Sequence, residues 1–512
     1  MLVQIYCAKC IGIDAVKVLC EIKIERGIGI HLVGLGDAAV KESLLRTTTA
    51  LASLGYNIPG KKIVINLAPA DLHKNGSGFD VPIATGIIAA SGQKSLPGLG
   101  KYLIMGELGL DGEVRGIPGG LPFAEFASKC GLKGCILPTV SAREAIDIDG
   151  IDIYGVDNFQ DVIRILEENE DCTDLLVRNG TRRNDNISVG SNNQDYIDFA
   201  DIIGQENAKR GAEIAVSGGH NMIMIGTPGS GKSSIAKAMA GIMPPMSLEE
   251  SLATSKIYSI CGKGDLRYGL VRQRPFRSPH YSASIAAVIG GGGDGIYPGE
   301  ISLAHNGILF LDEIGQMPRS LIESLRSPVE DGKVVISRLK GKVEYPCSFM
   351  LVAASNPCPC GYYGDGDRCN CSPLQRSNYL SKLSGPMMDR IDIQVWVKSP
   401  VTSDILGNRK AESSSVIAAR VAKAREIQQR RFAGEGIYTN AGMSNRMIEK
   451  YCPLNDECRN VLNSLIEKTG LSMRAYFRII RVARTIADMD DEKDILPHHL
   501  MEAAGYRFLD KV

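Results

Sequence analysis

The sequence predicts a multidomain protein that combines α/β and α+β blocks, with a parallel α/β domain at its centre and a helical C-terminal domain. Three observations predict this. The apolar run at residues 221–225 leads into Gly226-Thr-Pro-Gly-Ser-Gly-Lys232-Ser233, and a helical pattern starts at Ser233. Strand, glycine-rich turn and helix is the context in which the pattern G-x-x-x-x-G-K-[ST] cradles phosphate. Strand and helix signals then alternate between about 199 and 400, the pattern of a parallel sheet with crossover helices. From Val416 onward apolar residues recur at three- and four-residue steps, in 416–430 and again in 474–489, with breaks at Gly470 and Pro497.

Composition narrows the function classes. The chain has 512 residues, 44% hydrophobic and 23% charged, which suits a globular protein with several cores. No apolar run approaches a membrane span, and the start of the chain lacks a basic region followed by an apolar core, so a cytoplasmic protein with no membrane partner is expected. There are 58 basic and 58 acidic residues, so any nucleic-acid contact must be a local patch. The 14 cysteines, in a long chain with no secretion signal, read as reduced thiols, some of them on metal.

The elements follow in order. Residues 1–175 mix β-rich runs (15–24 and 62–67) with helical segments such as 38–54. Residues 176–198 are polar and Asn/Ser/Gly-rich, a linker. Residues 199–400 form the α/β domain, and 401–512 the helical domain.

Within the α/β domain the loop residues Gly226, Thr227, Pro228, Gly229, Ser230, Gly231, Lys232 and Ser233 form a nucleotide site. Backbone N–H groups and the helix N-terminus face the phosphates. Lys232 neutralises the β- and γ-phosphates, and the Ser233 hydroxyl binds Mg²⁺. The strand Gly307-Ile-Leu-Phe-Leu ends in Asp312-Glu313, which supplies an acid for the Mg²⁺ shell and a second to polarise the attacking water. A third strand, 348–354, ends in Ser355-Asn356, where an amide can hold the water against the γ-phosphate.

These strand ends resemble the Walker A, Walker B and sensor-1 elements of the AAA+ ATPases. The segment Leu383-Ser-Gly-Pro-Met-Met-Asp-Arg390-Ile-Asp resembles their arginine-finger segment. The resemblance implies that Arg390 enters the neighbouring subunit's site, in a homo-oligomeric ring, usually a hexamer. Leu471-Ser-Met-Arg474 resembles the sensor-2 start of a lid helix, which implies that Arg474 reaches the γ-phosphate. With Arg274-Pro-Phe-Arg-Ser-Pro-His280, Pro298-Gly-Glu-Ile-Ser-Leu-Ala-His-Asn306 and Asn356-Pro-Cys-Pro-Cys-Gly, nearly the whole chain resembles the magnesium-chelatase-like AAA+ proteins, and more narrowly the ComM/YifB family. That resemblance implies ATP and Mg²⁺ as cofactors. It also implies a branch-migration helicase in homologous recombination and natural transformation, with branched or single-stranded DNA as partner. Metal-insertion ATPases of the magnesium-chelatase type are the alternative. They lack the first block, and this chain carries no D-x-S-x-S metal-adhesion motif.

Residues 1–175 resemble the Lon-protease fold shared with ribosomal protein S5 domain 2, through Asn66–Asp80 and Met105–Leu121 segments. The dyad of active relatives is missing: Gly78 stands at the nucleophile position, with Ser77 one residue off, and Pro122 stands where the lysine belongs. A serine without an adjacent base is a poor nucleophile, so an ATP-dependent Lon-like protease is disfavoured.

Two further clusters carry chemistry. Residues 332–345 read as two short strands about a turn at Lys340, and Arg338, Lys340 and Lys342 are DNA-contact candidates. A second basic stretch, 267–277, lies near Phe276 and Tyr281. Cys358-Pro-Cys360 and Cys369-Asn-Cys371 offer four thiolates for a structural Zn²⁺.

Overall fold

The computed structural model describes residues 2–34, 38–72, 74, 76–177, 196–263, 266, 269–292, 296–338, 341–364, 368–381, 383, 385–398, 411–469 and 472–507. Most of the predicted linker lies outside the described residues, as does Lys340. The chain divides into two compact units, one of residues 1–192, 247–272 and 337–343, the other of 193–246, 273–336 and 344–512.

The first unit is built on a mixed seven-stranded sheet. Its strands are β1 (Leu2–Ile11), β2 (Asp14–Glu25), β3 (Ile30–Val33), β4 (Lys62–Ala68), β5 (Tyr102–Ile104), β8 (Gly134–Pro138) and β9 (Asp152–Val156), in the order β3-β4-β2-β1-β5-β8-β9. The short pair β6 (Glu107–Leu108) and β7 (Val114–Arg115) stands apart. β1 and β2 pair antiparallel over their full length, whereas β5, β8 and β9 are parallel. Alternation along β4 puts Ile63, Ile65 and Leu67 into the core. The helix Asp80–Ser91 lies against β1 and β2, and its Asp80 carboxylate receives two bonds from Arg46, at 2.9 and 3.3 Å. Leu176 and Val177, expected to begin the linker, instead pair with the β9 edge.

The single block expected at 199–400 is interrupted. Residues 247–272 group with the first unit. Ser247 caps the helix Leu248–Cys261 in a reciprocal capping box with Glu250. That helix packs on the helix Gly120–Lys129, Lys256 pairs with Asp14 at 2.9 Å and with Glu125, and Leu270 enters the core.

The second unit carries a five-stranded parallel sheet of β10 (Met222–Gly226), β11 (Phe276–Arg277), β12 (Ile308–Leu311), β15 (Met350–Ser355) and β16 (Ile393–Val397). The order β11-β12-β15-β10-β16 sets the phosphate-loop strand between two others. Residues of β10 and β15 are almost all apolar and buried, as a sheet covered on both faces requires. The hairpin β13 (Lys333–Arg338) and β14 (Gly341–Pro346) stands outside this sheet. The helical pattern forms the helices Ser414–Arg431, Asn445–Tyr451, Asp456–Thr469, Met473–Met489 and Pro497–Gly505. They share one apolar core with the sheet, with Val421, Ile479 and Leu500 beside Met222 and Val395. Among the described residues, no helix is long and apolar enough to cross a membrane.

Candidate functional site

Because the sheet is parallel, the C-terminal ends of its strands share one edge. Ile225 lies level with Ser355 on β15, and Leu311 with Ala353. The phosphate loop, Asp312-Glu313 and Asn356 therefore converge there. Gly226 approaches β16 so closely that a Cβ would stand 2.1 Å from the Val397 carbonyl oxygen, so a side chain is excluded. Gly231 opens the helix Lys232–Gly241 at φ 94°, a conformation glycine adopts without strain.

The buried Lys232 ammonium donates to the Gly226 and Thr227 carbonyls at 2.7 and 2.8 Å, and Asn356 Oδ1 stands 3.5 Å away. Burial pulls this ammonium below its ordinary pKa, while Asp312 and Glu313 act in the opposite sense. Ser233 Oγ donates to Asp312 Oδ2 at 2.9 Å. Glu313 takes a left-handed backbone conformation, φ 50°, with its N–H on Asp312 Oδ1 at 2.9 Å. The loop's own Ser230 Oγ is buried without a hydrogen-bond partner among the described residues. These groups fit a nucleotide and its metal. An orphaned hydroxyl and a lysine held on carbonyls await an anion, and a hydroxyl beside a carboxylate is an oxygen donor set for a hard cation.

Arg390 lies elsewhere. It precedes β16, whose Ile393 is level with Met222, at the opposite end of β10 from the loop. Four strand steps separate those ends, about 13 Å. Arg390 donates to the Arg326 carbonyl at 2.9 Å and pairs with Glu330.

Within one chain Arg474 does not stand with Lys232 and Asn356. Arg474 is exposed and pairs with Asp389 at 3.0 Å, so it belongs with Arg390 at the far end. The cause is an anchor one turn further along the helix Met473–Met489. Arg478 pairs with the buried Asp392, and draws the helix start to the 389–392 segment. Burial alone would raise the Asp392 carboxyl, but Arg478, His220 and Arg481 outweigh it and hold the group well below its ordinary range.

Sequence reading gave Asp392, Asn221 and Gln205 no role. Asn221 ties three segments, accepting from Leu351 N at 2.8 Å and donating to the Arg390 carbonyl at 3.0 Å, while its N–H meets Asp392 Oδ2 at 3.1 Å. Gln205 donates to the Ser230 carbonyl at 3.3 Å from a left-handed backbone position, φ 64°. The one signal in sequence was local: Gly204-Gln205 just before a helix, and Asn221 just before the loop strand.

Among the basic candidates, Arg338 and Lys342 are exposed on the hairpin, whose base is fixed by buried Val334, Ile336 and Tyr345. The second basic stretch does other work. Arg277 clasps Glu300 at 2.7 and 2.9 Å, Arg274 donates to the Asn306 carbonyl at 2.8 Å, and Phe276 stacks on Phe310. The sulfurs of Cys358, Cys360 and Cys369 lie 3.3 to 3.7 Å apart, with Cys371 in the same group. In the first unit, Ser77 bonds Glu107 and Pro122 is buried near the start of the helix Gly120–Lys129.

Comparison with known proteins establishes the family. The family model described as magnesium chelatase, subunit ChlI, matches residues 198–405, with companion models for subunit ChlI of Mg-chelatase at 20–141 and its C-terminal part at 411–507. The uncharacterized protein YifB of Salmonella typhimurium is 40% identical over 504 residues, 98% of this chain and 96% of that protein. Competence protein ComM of Haemophilus influenzae is 39% identical over 98% of this chain and 97% of its own length. The chain belongs to the ComM/YifB family of magnesium-chelatase-like AAA+ proteins. The magnesium-chelatase 38 kDa subunit of Rhodobacter capsulatus is more distant, 25% identical over 33% of this chain and 52% of that subunit. Full-length likeness therefore runs to the ComM/YifB branch, including the first unit.

Proposed function

We propose that this protein hydrolyses ATP as a homo-oligomeric ring, a hexamer, and drives branch migration of DNA, the helicase function in recombination and transformation that its family resemblance implies. One observation carries the hydrolytic part: Lys232, Ser233, Asp312, Glu313 and Asn356 meet at one end of the sheet, while Arg390 and Arg474 sit at the other. A ring of identical subunits would bring the Arg390 and Arg474 end of one chain to the Lys232 end of the next. Lys232 and the loop amides hold the phosphates, Glu313 orients water, and Asn356 fixes it. Ser233 and Asp312 would hold Mg²⁺, which supplies charge neutralisation. Arg390 of a neighbour stabilises the charge that develops as the phosphoryl group leaves, with Arg474 beside it.

The DNA assignment rests on Arg338 and Lys342, exposed on a hairpin with a rigid base, and on the name of the competence protein that matches end to end. A ring multiplies this local charge although the chain carries none net. The four thiols take a structural Zn²⁺, and the first unit is a Lon-like domain without peptidase chemistry. The test is ATP turnover with and without single-stranded, duplex and four-way-junction DNA, and junction unwinding against Glu313→Gln. Stimulation by branched DNA and loss of unwinding in the variant are expected. No DNA binding at low salt sinks the motor reading.

A further inference from the structure

Resting on the reading of the four thiols as a zinc site, we infer that the bound metal is a brace for the nucleotide loop, so that ATP binding and turnover depend on a metal that never touches the nucleotide. The sulfur geometry comes first. Zn–S bonds of about 2.3 Å in a tetrahedron set the sulfurs about 3.8 Å apart. The observed separations are 3.3, 3.7 and 3.6 Å for the pairs among Cys358, Cys360 and Cys369. The ligand atoms of all four cysteines lie within 4.8 Å of one another. These separations are far too long for disulfides and close to tetrahedral edges.

The position of the cluster carries the rest. Cys358 and Cys360 lie between Asn356 and Gly361, a stretch that touches the nucleotide loop at both ends. Asn356 Oδ1 faces Lys232 Nζ at 3.5 Å. At Gly361, a Cβ would stand 3.1 Å from two ring carbons of Pro228. A single turn, Gly361 N–H to the Cys358 carbonyl at 3.0 Å, is the backbone bond within this stretch. Cys358 is fully buried. Cys369 and Cys371 come from the far side of the same excursion, and Cys371 runs directly into the Ser372-capped helix Pro373–Leu380. That helix brings the Tyr379 hydroxyl to Ser355 at the end of β15. Four ligands therefore close a path that leaves β15 at Asn356, passes against Pro228 and returns beneath β15. A metal fixes both ends; without it the segment against Pro228 and Asn356 keeps its one backbone turn, and the contacts of Tyr363 with Trp396 and Arg376 hold only the residues beyond Gly361.

The experiment uses the full-length protein. Elemental analysis of the wild type is expected to give about one zinc per chain. Cys369→Ser/Cys371→Ser is expected to lose the metal, bind a fluorescent ATP analogue more weakly, and turn over on the order of a hundredfold more slowly, the effect of a small misplacement of reacting groups. Cys371→His, which keeps a zinc ligand, is expected to retain both. Gly361→Ala is expected to keep zinc and weaken nucleotide binding. A wild type without zinc overturns the brace together with the zinc reading. A folded, zinc-free double variant that binds ATP as the wild type does overturns the brace alone. If that variant does not fold, stripping zinc from the wild type decides: recovery of nucleotide binding on re-addition supports the brace, and binding unchanged by stripping overturns it. Because nucleotide binding is read directly, a wild type that binds without hydrolysing tells against the ATPase reading and not the brace.

Discussion

Ser233 Oγ donates to Asp312 Oδ2 across 2.9 Å, joining residues 79 apart in sequence from β10's loop and the end of β12. On the proposed reading the two oxygens would share one cation, each supplying part of its shell. Ser233→Ala is expected to raise the Mg²⁺ concentration for half-maximal ATP turnover by at least about tenfold, as losses around metal sites do. Affinity for nucleotide without Mg²⁺ stays unchanged. Titration of turnover with Mg²⁺ at saturating ATP checks this, and an unshifted midpoint removes Ser233 from the metal shell.

Glu313 differs from its neighbour in role. Its N–H bonds the Asp312 carboxylate while its left-handed backbone turns the side chain away from the β12 direction. Glu313→Gln keeps the shape and removes the carboxylate that polarises water. Turnover is expected to fall by at least about a hundredfold, with ATP binding retained. A variant that binds nucleotide and hydrolyses it at the wild-type rate contradicts the assignment.

Arg390 rests on Glu330 and the Arg326 carbonyl, with Arg474 on Asp389 beside it. If both serve a neighbour's nucleotide, Arg390→Ala loses about three to five orders of magnitude in turnover, and Lys232→Ala is inactive for a different reason. Mixing the two inactive proteins then regenerates activity, because the lysine variant lends Arg390 to the site of the arginine variant. No recovery on mixing, with mixed rings confirmed by mass, places Arg390 in its own subunit's chemistry or in structure alone.

The convergence of Lys232, Ser233, Asp312 and Asn356 was legible in sequence because everything it needs is local. Each of Gly226–Ser233, Asp312-Glu313 and Asn356 is the end of one apolar strand, and parallel packing brings strand ends together without further instruction. Sequence did not reach Asp392, whose partner Arg478 is 86 residues away on the helix Met473–Met489. The position of Arg474 has the same origin, since the Asp392–Arg478 pair sets where that helix begins. Helix Leu248–Cys261 lies within the expected block yet groups with the first unit for a similar reason. Its partners Asp14 and Glu125 stand far earlier in the chain.

Arg478 and Asp392 link the helix Met473–Met489 to the segment before β16, and both are largely buried. Removing Arg478 leaves the buried Asp392 facing only His220 and Arg481, and breaking a buried pair in this way costs up to about 3–5 kcal/mol. Arg478→Ala is expected to lower the free energy of unfolding by up to that much and to loosen the 389–392 segment, and so Arg390. Denaturant unfolding measures the first, and hydrogen exchange at residues 389–392 the second.

Glu144, in the first unit, gives a pH dependence of opposite sign to most acids. Burial raises its carboxyl to about 7, against bonds from Ser259 and the backbone of Leu121 and Gly120, which lower it. The Cys10 thiol, Asp14 and Lys256 are the other titratable groups of this cluster. A carboxyl whose folded pKa lies above its unfolded value, about 4.3, binds its proton more tightly when folded. Its contribution is complete below that unfolded value and is lost as pH rises through about 7. The span corresponds to about 4 kcal/mol. Hydrogen exchange in helix Gly120–Lys129 of the full-length protein, corrected for intrinsic rate, should therefore slow as pH falls from 7.5 to 5. Glu144→Gln, which mimics the protonated form, should keep that protection at both pH values. A variant that retains the wild-type pH dependence shows that another group of the cluster, Cys10, Asp14 or Lys256, carries it.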